Sequence, residues 1–391
     1  MEPWAEYQPD AQRPWTPALA AHLLRRTTFG FSRERLDRAI SAGPRKSIDE
    51  LLSTPAALPA FNQQLASLAA PLRVSEEAGS QECAQLWLYR IMNTPAPFEE
   101  KATLFWHGYF AIAGKSALLE PHLQLLRTNA LGRFDTLLLA LSRDPATLLG
   151  CGGPSGFASA LFGRYTGGSG VPPDAAQAFT GYGVLRNQFH YQPEDHQGSL
   201  TGDEAVRAAL AQPTAARYVV GRLYRWLIAE TGPLPEPVLA PLANSFSKDF
   251  DIGRAISTIL RSNLFFSSAA IRQRVKSPLE FALNLTAVFQ VSFPPASLYA
   301  SLATLGQRLA DPPTRDGWAG GEHWLNAFTL VGRANLSATL LAKVARYPDR
   351  REMLELLIQN DAPRPVLDAL AKSDGAALAL ALAALPEFQL A

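Results

Sequence analysis

The chain has 391 residues, 47% of them hydrophobic and 18% charged, so it can bury a sizeable core without staples, and its length is a prior for two or more lobes. Its 36 basic and 35 acidic residues leave a formal net charge of +1, which excludes a global field for holding nucleic acid or an anionic membrane. Charges or prolines interrupt every apolar run before the roughly 20 residues that a membrane-spanning helix needs. Two cysteines, Cys83 and Cys151, are too few for a disulfide framework or a thiolate metal cage.

The opening Met-Glu-Pro-Trp-Ala-Glu-Tyr-Gln-Pro-Asp has no basic start, apolar run or small-residue cleavage site, and a cytoplasmic location is expected from it. Residues 1–16 have no period and are expected as an extended arm against the fold. From Pro17 the pattern turns helical: Leu23, Leu24 and Phe29, then Leu36, Ile40, Ile48, Leu51 and Leu52 recur at spacings of three and four, with breaks at Gly30 and Gly43-Pro44. Helices are expected next over 82–92 and 98–111, then over 118–131 and 134–143, the last two split at Gly132.

The stretch 150–201 is glycine-rich at first and then aromatic and polar, and it reads as one long irregular loop. Helical pattern resumes at Gly202, with Asp203 and Pro213 placed where helix starts want a capping oxygen or a proline ring. Further helices are expected over 238–246, 252–260, 279–289, 296–305 and 323–345, with short ones to the end. Strand-like alternation is scarce, so the expected fold is all-α, with an N-terminal helical lobe (1–149), the connecting loop (150–201) and a C-terminal helical lobe (202–391).

Several segments together resemble one bacterial family, the domain of unknown function 1800. They are His22-Leu23-Leu24-Arg25-Arg26-Thr27-Thr28-Phe29-Gly30, Glu100-Lys101 with Leu104-Phe105-Trp106-His107, Leu126 to Gly132, and Ser142-Arg143-Asp144-Pro145-Ala146. Thr180-Gly181-Tyr182 follows, then Arg274 to Glu280, and finally Leu305-Gly306-Gln307 through Gly317-Trp318, Gly320-Gly321 and Trp324-Leu325-Asn326. The resemblance implies one family-wide domain and, as partner, a neighbouring alkaline-phosphatase-like protein; members of the family often carry export signals. Where the family usually has Pro-Asn-Glu-Asn and then Ala-Arg-Glu, this chain has its glycine-rich stretch.

Candidate chemistry begins at His107. On a helix Glu100, Thr103 and His107 share a side, so Thr103 is placed to hold the imidazole while its other nitrogen faces a cleft. The competing expectation packs His107 among Phe105, Trp106 and Phe110, with one nitrogen bonded to backbone. His190 and His196, with Glu194 and Asp195, form the densest run of metal-competent side chains, which makes His107, His190, Asp195 and His196 the candidate metal ligands. The competing reading of that run is a solvated polar loop.

Arg222 and Arg225 share a helix face with Tyr218, and with Arg25, Arg26 and Arg127 they are candidates for a carboxylate or phosphate. Trp318 and Trp324 suit either an aromatic ligand wall or a plug for the core. Gly114-Lys115-Ser116 fails as a phosphate loop, because five residues separate Gly108 from Gly114 where the motif needs four. Ser155 in Gly153-Pro154-Ser155-Gly156-Phe157 fails as a nucleophile elbow.

Two functions therefore stand. One is a binding or scaffold module. The other is a metal-dependent hydrolase-like enzyme, with a divalent metal as cofactor, His22, His107 and His196 as ligands or acid/base, and Arg127 holding an anionic substrate. The balanced charge speaks against nucleic acid as partner.

Overall fold

The computed structural model describes residues 2–74, 80–112 and 116–391. The first half runs α1 (Pro17–Thr27), α2 (Arg33–Leu52), α3 (Leu58–Val74), α4 (Ser80–Asn93), α5 (Pro97–Tyr109), α6 (Ser116–Asn129), α7 (Phe134–Ser142), α8 (Pro145–Cys151), α9 (Pro154–Ala160) and α10 (Pro173–Gln177). A hairpin, β1 (Tyr182–Leu185) and β2 (Gln188–Tyr191), precedes α11 (Gly202–Leu210), α12 (Ala215–Leu227), α13 (Glu236–Phe246), α14 (Ile252–Arg261), α15 (Pro278–Phe289) and α16 (Pro295–Thr304). The chain closes with α17 (Ala327–Leu341), α18 (Arg350–Ile358), α19 (Arg364–Ala369), α20 (Gly375–Ala384) and α21 (Pro386–Gln389). The fold is predominantly all-α, and among the described residues no helix is long and apolar enough to cross a membrane.

Several helix starts fall where their caps are written. Ser32, Asp144 and Asp251 each accept from the backbone N–H three residues on, and Ser277 with Glu280 forms a reciprocal capping box. Gly43 (φ 77°) and Pro44 break α2 into two runs, as expected from their order. Two starts differ from expectation. The cap of α11 is Thr201, boxed with Glu204, rather than Asp203; α12 begins at Ala215, after Thr214 rather than at Pro213. The single helix expected over 323–345 is a 3₁₀ turn, Gly321–Trp324, and then α17, because Asn326 caps Thr329 and restarts the ladder. Helix α3 had no counterpart among the expected elements.

The stretch expected as one loop is mostly ordered structure. Gly152 (φ 85°) supplies the left-handed cap of α8, and Pro154 opens α9; these residues punctuate helices rather than abolish them. Phe157, Leu161, Phe162 and Tyr165 are buried along α9 and the π-turn Leu161–Tyr165 that follows it. Arg186 and Asn187, both at positive φ (52° and 63°), make the two-residue turn of the hairpin, whose register pairs Tyr182 with Tyr191. The N-terminal arm lies against the fold as expected: Trp4 Nε1 donates to Val238 O (2.6 Å), Tyr7 N donates to Arg261 O (2.7 Å), and the Tyr7 ring is buried 4.8 Å from that of Phe266.

The packing does not follow chain order. One apolar core gathers Tyr7, Leu23, Phe98, Trp106 and Phe134 with α9, α11, α12, α13 and α14. A second joins Leu24, Phe29, Phe31, Trp87, Leu88, Leu119 and Leu123 to α15 through α21. Between them, buried cations tie helix ends together. Lys101 Nζ donates to the carbonyls of Arg25 (2.6 Å) and Thr28 at the end of α1, Arg26 bonds Ile228 O and Ala270 O, and Arg333 bonds Lys276 O (2.7 Å). Each tie satisfies backbone carbonyls that the helices and turns leave open.

Candidate functional site

Four segments meet at a cleft of about 450 Å³. Helix α5 brings Lys101, Leu104, Phe105, Gly108 and Tyr109 to it, and α12 brings Arg222, Arg225 and Trp226. The run into α15 supplies Arg274, Ser277 and Glu280, and the 305–324 loop supplies Gln307, Asp316, Trp318, Gly320 and Trp324.

Close packing fixes these parts. Phe105 and Trp226 stack with centroids 4.6 Å apart, and the Arg222 guanidinium lies 5.1 Å over the Tyr109 ring. Gly320 (φ 72°) must lack a side chain, since a Cβ there would stand 2.4 Å from Glu230 Oε1.

The carboxylates of the cleft are largely spoken for. Glu230 accepts from Val275 N (3.1 Å) and Gly321 N (2.8 Å). Buried Glu280 pairs with Lys101 (2.8 Å) and Arg274 and accepts from Ser277 N (2.8 Å). Burial alone would raise the Glu280 carboxyl, but Arg274 and Lys101 outweigh it and hold it well below the usual range. Burial holds Lys101 down to about 8 against the pull of Glu280. Arg225 donates to the Glu230 carbonyl (3.2 Å), and among the described residues neither Arg222 nor Arg225 has a carboxylate within salt-bridge distance.

Behind the Trp318 side of the cleft lies His107, fully buried, with its ring against Trp87 (centroids 5.3 Å), Trp318 (5.9 Å) and His122 (6.0 Å). Both expected settings of His107 are corrected. Thr103 donates instead to the Glu99 carbonyl (2.8 Å), as helix hydroxyls do, and among the described residues neither ring nitrogen of His107 has a hydrogen-bond partner. His122, which sequence reasoning passed over, is held through Nδ1 by Asp144 (2.7 Å), and Asp144 also accepts from Thr147 N and Oγ1. Asp144 is also the N-cap of α8, a helix that was not among the expected elements, and nothing in the sequence pairs it with a residue on α6.

The other predicted site residues are dispersed. His22 is buried, its Nε2 3.0 Å from Phe265 O and its ring against Phe265. Arg127 pairs with Glu100, which also holds Arg90 and accepts from Trp87 Nε1 (3.0 Å). His190 is exposed on β2, Asp195 is exposed in a 3₁₀ turn beside Glu194, and His196 Nδ1 lies 3.2 Å from Thr180 O. Arg26 is one of the buried ties described above, and the Arg25 guanidinium meets Gln359. His22, His107 and His196 therefore have separate surroundings. Among the described residues no group of three or more His, Cys, Asp or Glu is placed to hold a metal ion. Gly114 and Lys115 of the rejected phosphate loop lie outside the described residues.

The protein-family model described as protein of unknown function (DUF1800) matches residues 22–149 and 173–390. The chain belongs to the DUF1800 family. No curated protein and no solved structure matches it. The internal gap in the match, 150–172, holds α9 and the π-turn, the stretch where the sequence departs from the family pattern. Residues from the segments that carry the DUF1800 resemblance, among them Lys101, Phe105, Arg274, Glu280, Gln307, Trp318 and Trp324, converge on the cleft.

The burial of His107 has a measurable consequence. Burial, with a smaller contribution from His122, holds its pKa down to about 3 from an ordinary 6.5. The unfolded chain takes up this proton near pH 6.5 and the folded chain only near pH 3, so stability falls as pH drops through that window. The loss is at most about 1.4 kcal/mol per pH unit for this group. His22, pushed down by burial and then by Arg26 and Arg25, adds to the loss in the same direction. Urea unfolding at pH 7 and pH 4.5 is expected to give a shallower pH dependence for His107→Phe than for the parent, and equal slopes would show that His107 does not titrate this way.

Proposed function

We propose that this DUF1800 member is a binding module whose cleft between α5, α12, the start of α15 and the 305–324 loop takes an anionic ligand with a flat or apolar portion. The observation that carries this reading is the pair Arg222 and Arg225, both half-buried, at a cleft walled by Trp226, Trp318 and Trp324. A guanidinium is weakly hydrated and matches carboxylate and phosphate geometry, and indole faces receive the rest of such a ligand. With Glu230 and Glu280 already bonded within the protein, exposed Asp316 is the remaining carboxylate lining the cleft, beside the guanidinium donors of Arg222 and Arg225.

Quenching of tryptophan fluorescence by inorganic phosphate, citrate, benzoate and a nucleoside monophosphate, each against a neutral analogue, tests the reading. At least one anion is expected to saturate, and the double change Arg222→Ala with Arg225→Ala is expected to weaken it at least tenfold, about 1.4 kcal/mol. Indifference of every anion to the double change would refute it. An alkaline-phosphatase-like protein is the macromolecular partner we attach to this module, and co-elution of the two on gel filtration is the corresponding test.

A further inference from the structure

Nearly every buried polar atom of a folded protein has a partner, so a local cluster without partners calls for an explanation such as a bound ion. Among the described residues three such nitrogens belong to two neighbouring side chains that can ligate an ion: Nδ1 and Nε2 of His107 and Nε2 of His122. Both imidazoles are fully buried, with centroids 6.0 Å apart. The geometry points to a two-imidazole site for monovalent copper, with His107 and His122 as ligands and Asp144 as the carboxylate behind His122.

The chemistry of the donors selects the ion. Asp144 takes the N–H of His122 Nδ1 and so leaves the lone pair on Nε2, the carboxylate–histidine arrangement that orients metal-bound imidazoles. An ion bonded to one nitrogen of each ring at about 2 Å holds the two centroids roughly 6 Å apart, which the observed spacing meets. Two neutral nitrogen donors satisfy copper(I), which is content with linear two-coordination, and fall short of the four that zinc takes. Trp87 and Trp318, packed on the His107 ring, wall the site and present aromatic surface to a cation. This site shares only the Trp318 wall with the cleft, and its test does not depend on the anion reading.

The test is anaerobic titration of the full chain with copper(I) against a colorimetric copper(I) chelator, using zinc(II) as the comparison ion. One equivalent of copper(I) is expected, with X-ray absorption showing two nitrogen neighbours. His107→Gln and His122→Gln are each expected to weaken binding at least a hundredfold, and His22→Gln, a buried histidine elsewhere, is expected to leave it unchanged. Circular dichroism confirms that each variant is folded, and His107→Phe replaces any that is not. Absence of copper(I) binding, binding that survives loss of either histidine, or tighter binding of zinc(II) would overturn the proposal; the first outcome would mean that these nitrogens are met by water alone.

Discussion

Replacing Glu280 with alanine is expected to cost about 3–5 kcal/mol of folding stability, because it strips a buried ion cluster of its carboxylate. Glu280 is 5% exposed and meets Lys101 and Arg274, themselves buried, while also accepting from the Ser277 backbone N–H at the start of α15. Without it two buried cations face each other across the cleft floor, and the capping box of α15 is broken as well. Urea unfolding at pH 7 measures the loss directly. Glu280→Gln, which keeps an acceptor for the α15 cap but not the charge, is expected to fall between parent and alanine. Removing Glu34, whose ion pair with Arg38 is exposed, is the control and is expected to leave the midpoint unchanged. A loss at Glu280 no larger than at Glu34 would mean that the cluster contributes nothing net.

The second large effect is expected at Gly30, where α1 gives way to α2 over the middle of α15. A Cβ there would stand 2.3 Å from Leu283 O and 2.8 Å from Asn284 Cα, and both are backbone atoms of a helix that cannot swing aside as a side chain can. Gly30→Ala must therefore push the α1–α2 junction away from α15, at a cost of about 1–3 kcal/mol or more. The same substitution at Gly170, where a Cβ meets nothing within 4 Å, supplies the contrast and is expected to be nearly neutral. Thermal unfolding of the two variants side by side decides it: equal midpoints would contradict the close approach at Gly30.

What was legible in the sequence is what short-range chemistry dictates. Helix spans followed from apolar spacing, and caps such as Ser32 and Asp251 lie beside the helices they start. The misreading of 150–201 has the same root, since glycine and proline mark helix boundaries as often as loops, and Phe157, Leu161 and Phe162 were too few per turn to show a period. At the cleft, Trp318, Trp324, Arg222 and Arg225 were each singled out, but their meeting depends on how α5, α12 and the 305–324 loop pack. His107 was placed on the right helix with the wrong neighbours. Its surroundings, Trp87, His122 and Trp318, come from three distant stretches of the chain, and no spacing rule links them.

The interleaving of the two cores bears on how the chain must be made. Leu24, Phe29 and Phe31 emerge early from the ribosome, yet the surfaces that cover them, Leu279 through Phe388, are made last. At roughly 5–20 residues per second, these early side chains wait on the order of ten seconds or more for their partners. A nascent chain stalled before α15 would therefore display an uncovered apolar α1, a natural handle for a holding chaperone.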